Sequence, residues 1–152
     1  LLVDRSFDGV STFNQHHLYD SRLLLEEHYG ETGHLIKPDD EFSLTTGYRF
    51  RELTTKDHAW LKFTIAYEYT DSSEARPVIF VANMSRREGS YGYQTAELMP
   101  QESGEGLMTT WYLTPEIRSK KDKLVFYFWN RDNSVMKVLS IRTEVYERKE
   151  NR

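Results

Sequence analysis

Between His58 and Thr70 the chain reads HAWLKFTIAYEYT. Leu61, Phe63, Ile65, Tyr67 and Tyr69 fall on one parity, and Trp60, Lys62, Thr64, Ala66 and Glu68 on the other. A helix, with its period of about 3.6 residues, would scatter those apolar side chains around its circumference; a strand collects them on one face. A strand with one apolar face needs a second layer to cover it, so this segment calls for a sheet and something packed against the sheet.

Other segments supply the strands. RPVIFVANM (Arg76 to Met84) and LVFYFWN (Leu124 to Asn130) are apolar on both parities, which predicts central strands covered on two faces. In the second, Leu124, Phe126 and Phe128 are expected to face one way and Val125, Tyr127 and Trp129 the other, as a buried core strand and not a ligand surface. VMKVLSIRTEVYE reads as a closing strand with Leu139, Ile141 and Val145 on one parity, and weaker strand signals lie at LLVDRSF, SRLLLEE, EFSLTTGYRF, YQTAELM and LMTTWYL. Turn-rich stretches, TDSSEARP, SRREGSYG, PQESGEG and RDNS, separate them. Helix is nearly absent: LTPEIRSK is the best candidate, with Thr114 as cap and Pro115 at the first helical position, and a turn is expected near FNQHHLYD. The sum is an all-β fold, an antiparallel β-sandwich, most economically a jelly roll of about eight or nine strands. With 152 residues it forms one domain, ending in the solvated tail ERKENR. The chain opens on Leu1 without Met, which points to a processed protein or a piece of a longer one.

Charge and composition narrow the function classes. The net charge of -4, with basic and acidic residues interspersed, gives no footprint for nucleic acid. With no cysteine there is no disulfide, thiolate nucleophile or cysteine zinc site. No stretch approaches the roughly 18 apolar residues of a membrane helix.

Catalytic and metal signatures are equally sparse. DGVST places Ser11 after Gly9 but lacks the closing glycine of a nucleophile elbow, so it reads as a loop. The histidines, His16, His17, His28, His34 and His58, form no H-E-x-x-H pair, and no transition-metal site is expected. No cofactor is expected. Structural calcium stays open, because sandwich loops bind it through carboxylates and carbonyls; Asp8 and Glu41 are the residues to examine, whereas NRDNS reads as a hairpin turn.

The aromatic inventory, 3 Trp, 10 Tyr and 8 Phe, is the informative feature. Most of these rings should fill the core, but exposed ones on a sheet face or loop tip stack against sugar C–H faces. Parity and position select Trp60, opposite the apolar stripe of its strand; Tyr91 and Tyr93, flanking Gly92 with Arg86 nearby; and Trp111 after SGEGLMTT.

The order of these pieces resembles the galactose-binding-like jelly rolls, which include many carbohydrate-binding modules. DRSFDG as first strand and turn, YDSRLLLE, HAWLKFTIAYEY, LVFYFWN and VLSIRTEVYE carry the resemblance. Phe7-Asp8 stands where such modules often have Phe-Glu, and FNQHHLYD replaces the usual early Trp-containing loop. The resemblance implies a non-catalytic accessory domain that binds carbohydrate or glycan, extracytoplasmic (secreted, periplasmic or cell-surface) and attached to a larger enzyme or membrane protein. A structural or protein-interaction domain of a larger envelope protein is the alternative, and a small hydrolase the third reading.

Overall fold

Two antiparallel sheets face each other in the computed structural model, which describes residues 18–87 and 89–149. The elements are β1 (Tyr19–His28), β2 (His34–Ile36), β3 (Phe42–Arg49), α1 (Phe50–Leu53), β4 (Trp60–Tyr69), β5 (Val78–Arg86), β6 (Gly89–Leu98), β7 (Glu105–Leu113), β8 (Lys123–Trp129) and β9 (Met136–Arg148). The first sheet runs β1-β9-β4-β7, with β2 also paired to β9; the second runs β3-β8-β5-β6. From β2 onward the chain changes sheet at every connection except the β5–β6 hairpin. The expected antiparallel β-sandwich is the observed fold, and this alternation is the jelly-roll arrangement.

β4 behaves as its alternation predicts. Leu61, Phe63, Ile65, Tyr67 and Tyr69 are all buried between the sheets, where Phe63 meets Phe80 at 5.0 Å and Phe126 at 5.1 Å between ring centroids. Tyr67 and Tyr69 reach across the layer: their hydroxyls donate to the carbonyls of Met99 (2.6 Å) and Leu98 (2.5 Å), and the Tyr69 oxygen accepts the Val78 N–H. Their hydroxyls are thereby buried with partners, which removes most of the cost of burying them.

Several sequence expectations need correction. β8 is central in its sheet, but it is not covered on both faces: Leu124, Phe126 and Phe128 are fully buried, whereas Val125, Tyr127 and Trp129 are half-exposed. β5 is buried on both faces from Val78 to Met84. In β9 a bulge inserts Leu139 between the residues paired with Ala66 and Tyr67. It moves Met136 and Val138 into the core set with Ile141 and Val145 and leaves Leu139 out of it, since one extra residue flips every side chain beyond it. Residues 114–122 form no helix; Thr114 instead prolongs the β4–β7 pairing, accepting the Ala59 N–H at its Oγ1 (2.9 Å) and donating its own N–H to the Ala59 carbonyl. The α-helical turn α1 has its N-terminal end closed by Glu52, whose carboxylate accepts the Arg49 N–H. NRDNS is a turn, with Asn130 bonded to both backbone groups of Ser134, but it closes no hairpin: it carries the chain from β8 in one sheet to β9 in the other. The strand expected at LLVDRSF, the turn at FNQHH and the residues Asp8, Ser11, His16 and His17 lie outside the described residues.

A second bulge, at Gly92 and Tyr93 opposite Asn83, decides where the β6 tyrosines go. Tyr91 pairs with Met84 and turns toward the core, while Tyr93 stands on the outer face. Gly92 has φ +66, and a Cβ there would lie 2.5 Å from Pro115 Cγ and 3.0 Å from the Tyr112 hydroxyl, which donates to the Gly92 carbonyl. Gly92→Ala should therefore cost ~1–3 kcal/mol in urea unfolding at neutral pH. A second expectation concerns alkali. Burial raises the hydroxyl pKa of Tyr69 and Tyr112 well above 10. The fold favours their neutral form, so this stability is complete below about pH 10 and is lost above it, as unfolded tyrosines ionise first. The urea midpoint should hold to about pH 9 and fall from about pH 10 upward.

Candidate functional site

The outer face of the β3-β8-β5-β6 sheet carries a cleft of about 350 Å³ lined by Phe42, Thr45, Asn83, Ser85, Ser90, Tyr93, Val125 and Tyr127. Its residues arrive there by strand alternation. Because Leu124, Phe126 and Phe128 are drawn into the core, Val125, Tyr127 and Trp129 must face outward. Pairing places Phe42 and Ile79 beside Trp129, Val81 beside Tyr127, and Asn83 beside Val125.

Aromatic walls and a polar floor define it. Phe42 is 57% exposed and Tyr93 56%, unusually open for rings of that size. Phe42 stacks on Trp129 at 6.4 Å with the planes 20° apart and meets Tyr127 edge-on at 5.7 Å. Burial, with the Tyr93 hydroxyl beside it, pushes the Tyr127 hydroxyl up to about 12, so it is a neutral donor and acceptor at physiological pH. At the floor Asn83 is only 4% exposed, and its Oδ1 has no hydrogen-bond partner among the described residues. An unpartnered buried carbonyl costs about 1–3 kcal/mol, a penalty that a ligand hydroxyl bonding to it would relieve. Thr45, Ser85 and Ser90 add hydroxyls among the lining residues. The arrangement can stack a flat apolar face and hydrogen-bond alcohols around it.

The five residues selected from sequence are scattered by the fold. Tyr93 is in the cleft. Trp60 and Trp111 do lie on an outer face, that of the other sheet, but they are 8% and 9% exposed in a satellite cluster with Tyr19, their rings 6.2 Å apart and edge-on. Each therefore offers little surface to a ligand. Tyr91 packs against the core and hydrogen-bonds Asp122, with the Arg118 guanidinium 4.4 Å over its ring. Desolvation pushes the Asp122 carboxyl upward, but the bonds from Tyr91 and from the N–H groups of Arg118 and Ser119 outweigh it and hold the group below the usual range. Arg86 lines a separate pocket of about 240 Å³ with Arg87, Ser119, Lys121 and Asp122. The residues missed were Phe42, Asn83, Tyr127 and Trp129; the available signal was the second apolar parity of LVFYFWN, which fits an exposed aromatic face as well as a covered one.

Two other groupings invite chemistry. The Tyr19 hydroxyl contacts His58 Nε2 at 2.8 Å, and His58 Nδ1 contacts Asp57 Oδ1 at 2.8 Å. The hydrogen bond from His58 holds Asp57 below the usual carboxylate range. Tyr19 is buried against Trp60 and Trp111, so this string ties β1 to the β4 entry. Asp71, Glu74 and Asp132 line a loop pocket of about 210 Å³, where Asp71 already accepts from Ser73 and Asp132 from Arg131. Among the described residues no set of three or more His, Asp or Glu side chains is grouped to hold a metal, and Glu41 is exposed. Among the same residues no helix is long and apolar enough to cross a membrane.

No protein-family model matches the chain, and no curated protein matches it significantly. Among solved structures it is similar in shape to dimeric latent PorU from Porphyromonas gingivalis, with a TM-score of 0.47 and 10% identity. The match covers 86% of this chain and 13% of the PorU chain, and at that distance neither a site nor an activity carries over.

Replacing Asn83 by Leu keeps a similar volume and removes the unpartnered amide oxygen. The variant should be at least as stable as the parent in urea unfolding, because an apolar side chain there leaves no buried carbonyl unpaired.

Proposed function

We propose that this domain is a non-catalytic glycan-binding module, and that it binds on the outer face of the β3-β8-β5-β6 sheet. The observation that carries the reading is the cleft in which exposed Phe42 and Tyr93 and half-exposed Tyr127 surround the unpartnered Oδ1 of Asn83. Rings supply sugar-stacking surface and the amide accepts a hydroxyl, so one small cleft offers both halves of saccharide recognition. Such a face is otherwise expensive, since rings left in contact with water forfeit the gain of burial. The jelly-roll strand order and the resemblance to galactose-binding-like modules agree with this reading, as fold analogy only. On the same reading the domain is an extracytoplasmic accessory unit carried by a larger enzyme or membrane protein.

A glycan array followed by titration of intrinsic tryptophan fluorescence tests it. Trp129, stacked on Phe42 at the end of the cleft, should report saturable binding. Tyr127→Ala and Phe42→Ala should each weaken binding by about tenfold or more while leaving the folded circular dichroism spectrum unchanged. Trp60→Ala, on the opposite sheet, should leave affinity unchanged if the protein folds. If no saccharide quenches the signal, or if only Trp60→Ala abolishes binding, the cleft is not a glycan site.

A further inference from the structure

Charge is distributed unevenly along the same sheet face. At the Trp129 end the cation is Arg131, which lies 5.7 Å from the centre of the Trp129 ring and is already paired with Asp132 at 3.3 Å and Glu97 at 3.9 Å. At the other end Arg49 of β3 and Lys123 of β8 stand directly opposite in the strand register, both exposed. Among the described residues neither forms an ion pair within 4 Å. Glu52, next to Arg49 in space, has its Oε1 engaged by the Arg49 backbone N–H. Like charges directly opposite across two strands repel, so this pair is a standing cost to the free domain.

The pair is continuous with the cleft. Lys123 is two residues from Val125 along β8, a step of ~7 Å on the same face, and it is also the register partner of Ser85, which lines the cleft. The hairpin pocket lies at this end too, since Arg86 follows Ser85 on β5; it is lined by Arg86, Arg87 and Lys121 against the single carboxylate of Asp122. In a chain of net charge -4, the aromatic cleft thus opens toward a cationic end. The ~20 Å from Trp129 to Lys123 leaves room for a short oligosaccharide along the strand.

Resting on the glycan-binding reading, we propose that the ligand is an acidic saccharide, whose rings lie over Phe42 and Tyr127, whose hydroxyl meets Asn83, and whose carboxylate or sulfate is taken by Arg49 and Lys123. A guanidinium presents two parallel donors to either oxyanion, and an ammonium adds a point charge, so the anion both relieves the repulsion and fixes the direction in which the chain lies.

The test is calorimetric titration with a uronate tetrasaccharide, a sulfated tetrasaccharide, a neutral tetrasaccharide of matching linkage and a short single-stranded oligonucleotide. It uses the parent, Arg49→Gln/Lys123→Gln and Arg86→Gln/Arg87→Gln. One or both acidic saccharides should bind at least about tenfold more tightly than the neutral one, and the arm that binds identifies carboxylate or sulfate. Arg49→Gln/Lys123→Gln should lose about 10–100-fold for the acidic ligand, flatten its salt dependence and leave neutral-sugar affinity in place. Without ligand, the same double variant should gain ~1–3 °C in Tm as the like-charge pair is removed. Equal affinity for neutral and acidic sugars, unaltered in that variant, would overturn the acidic-ligand proposal and leave the glycan reading standing. Loss only in Arg86→Gln/Arg87→Gln, or equal binding of the oligonucleotide, would also overturn it. If no saccharide binds at all, both readings fall.

Discussion

Phe63, Phe80 and Phe126 form the contact on which the sandwich depends. Phe63 comes from the β1-β9-β4-β7 sheet, the other two from the β3-β8-β5-β6 sheet, and all three ring pairs lie within 5.6 Å. Each ring is essentially removed from water, and the edge-to-face and tilted arrangements suit the aromatic quadrupole. Once Phe126 is committed to that contact, strand alternation leaves no freedom for its neighbours. Phe128 and Leu124 follow it inward, and Val125, Tyr127 and Trp129 must emerge on the other side.

The candidate site is thus the reverse side of the core. β5 contributes Ile79 and Val81, which remain buried on that outer side between Trp129, Tyr127 and their β6 partners, and then Asn83, where the apolar row ends. The bulge at Gly92 and Tyr93 is opposite Asn83, and it sends Tyr93 to the cleft and Tyr91 to the core. Pro115 and the Tyr112 hydroxyl fill the space that a side chain at position 92 would need, so the packing between sheets holds the bulge and the bulge holds the cleft wall. Stability and the shape of the site are coupled through this one glycine.

Electrostatics give the face a direction. Arg131 is neutralised beside the aromatic end, while Arg49 and Lys123 meet across the register at the other. Asp122 is the anion at that end: bonds from Tyr91 and from the backbone of Arg118 and Ser119 hold it ionised where it secures the loop before β8, but Arg86, Arg87 and Lys121 line the same pocket and outnumber it. An average net charge conceals this segregation, which only the strand pairing brings about.

How much of this was legible in the sequence differs by feature. The period-two stripe of Leu61 to Tyr69, the strand-rich runs within the described residues and the turn at Asn130 to Ser134 are local patterns, and each appears in the fold where the pattern puts it. The failures were tertiary. Trp60 sits on the polar parity of β4 as its position says, but the ring of Trp111 and the burial of Tyr19 beside it close that surface. Thr114 and Pro115 carry a helix-start signal, yet pairing with Ala59 and packing on Gly92 claim them first. Bulges at Leu139 and Gly92 are single-residue events that leave no periodic trace and invert parity beyond them. By itself the sequence determined that this chain makes paired strands and a sandwich, because alternation and β-branched, aromatic content act within each segment. Only the tertiary structure decided which of the two apolar faces of LVFYFWN would be covered, because that depends on which side the second sheet approaches, and the side it left open is where the cleft lies.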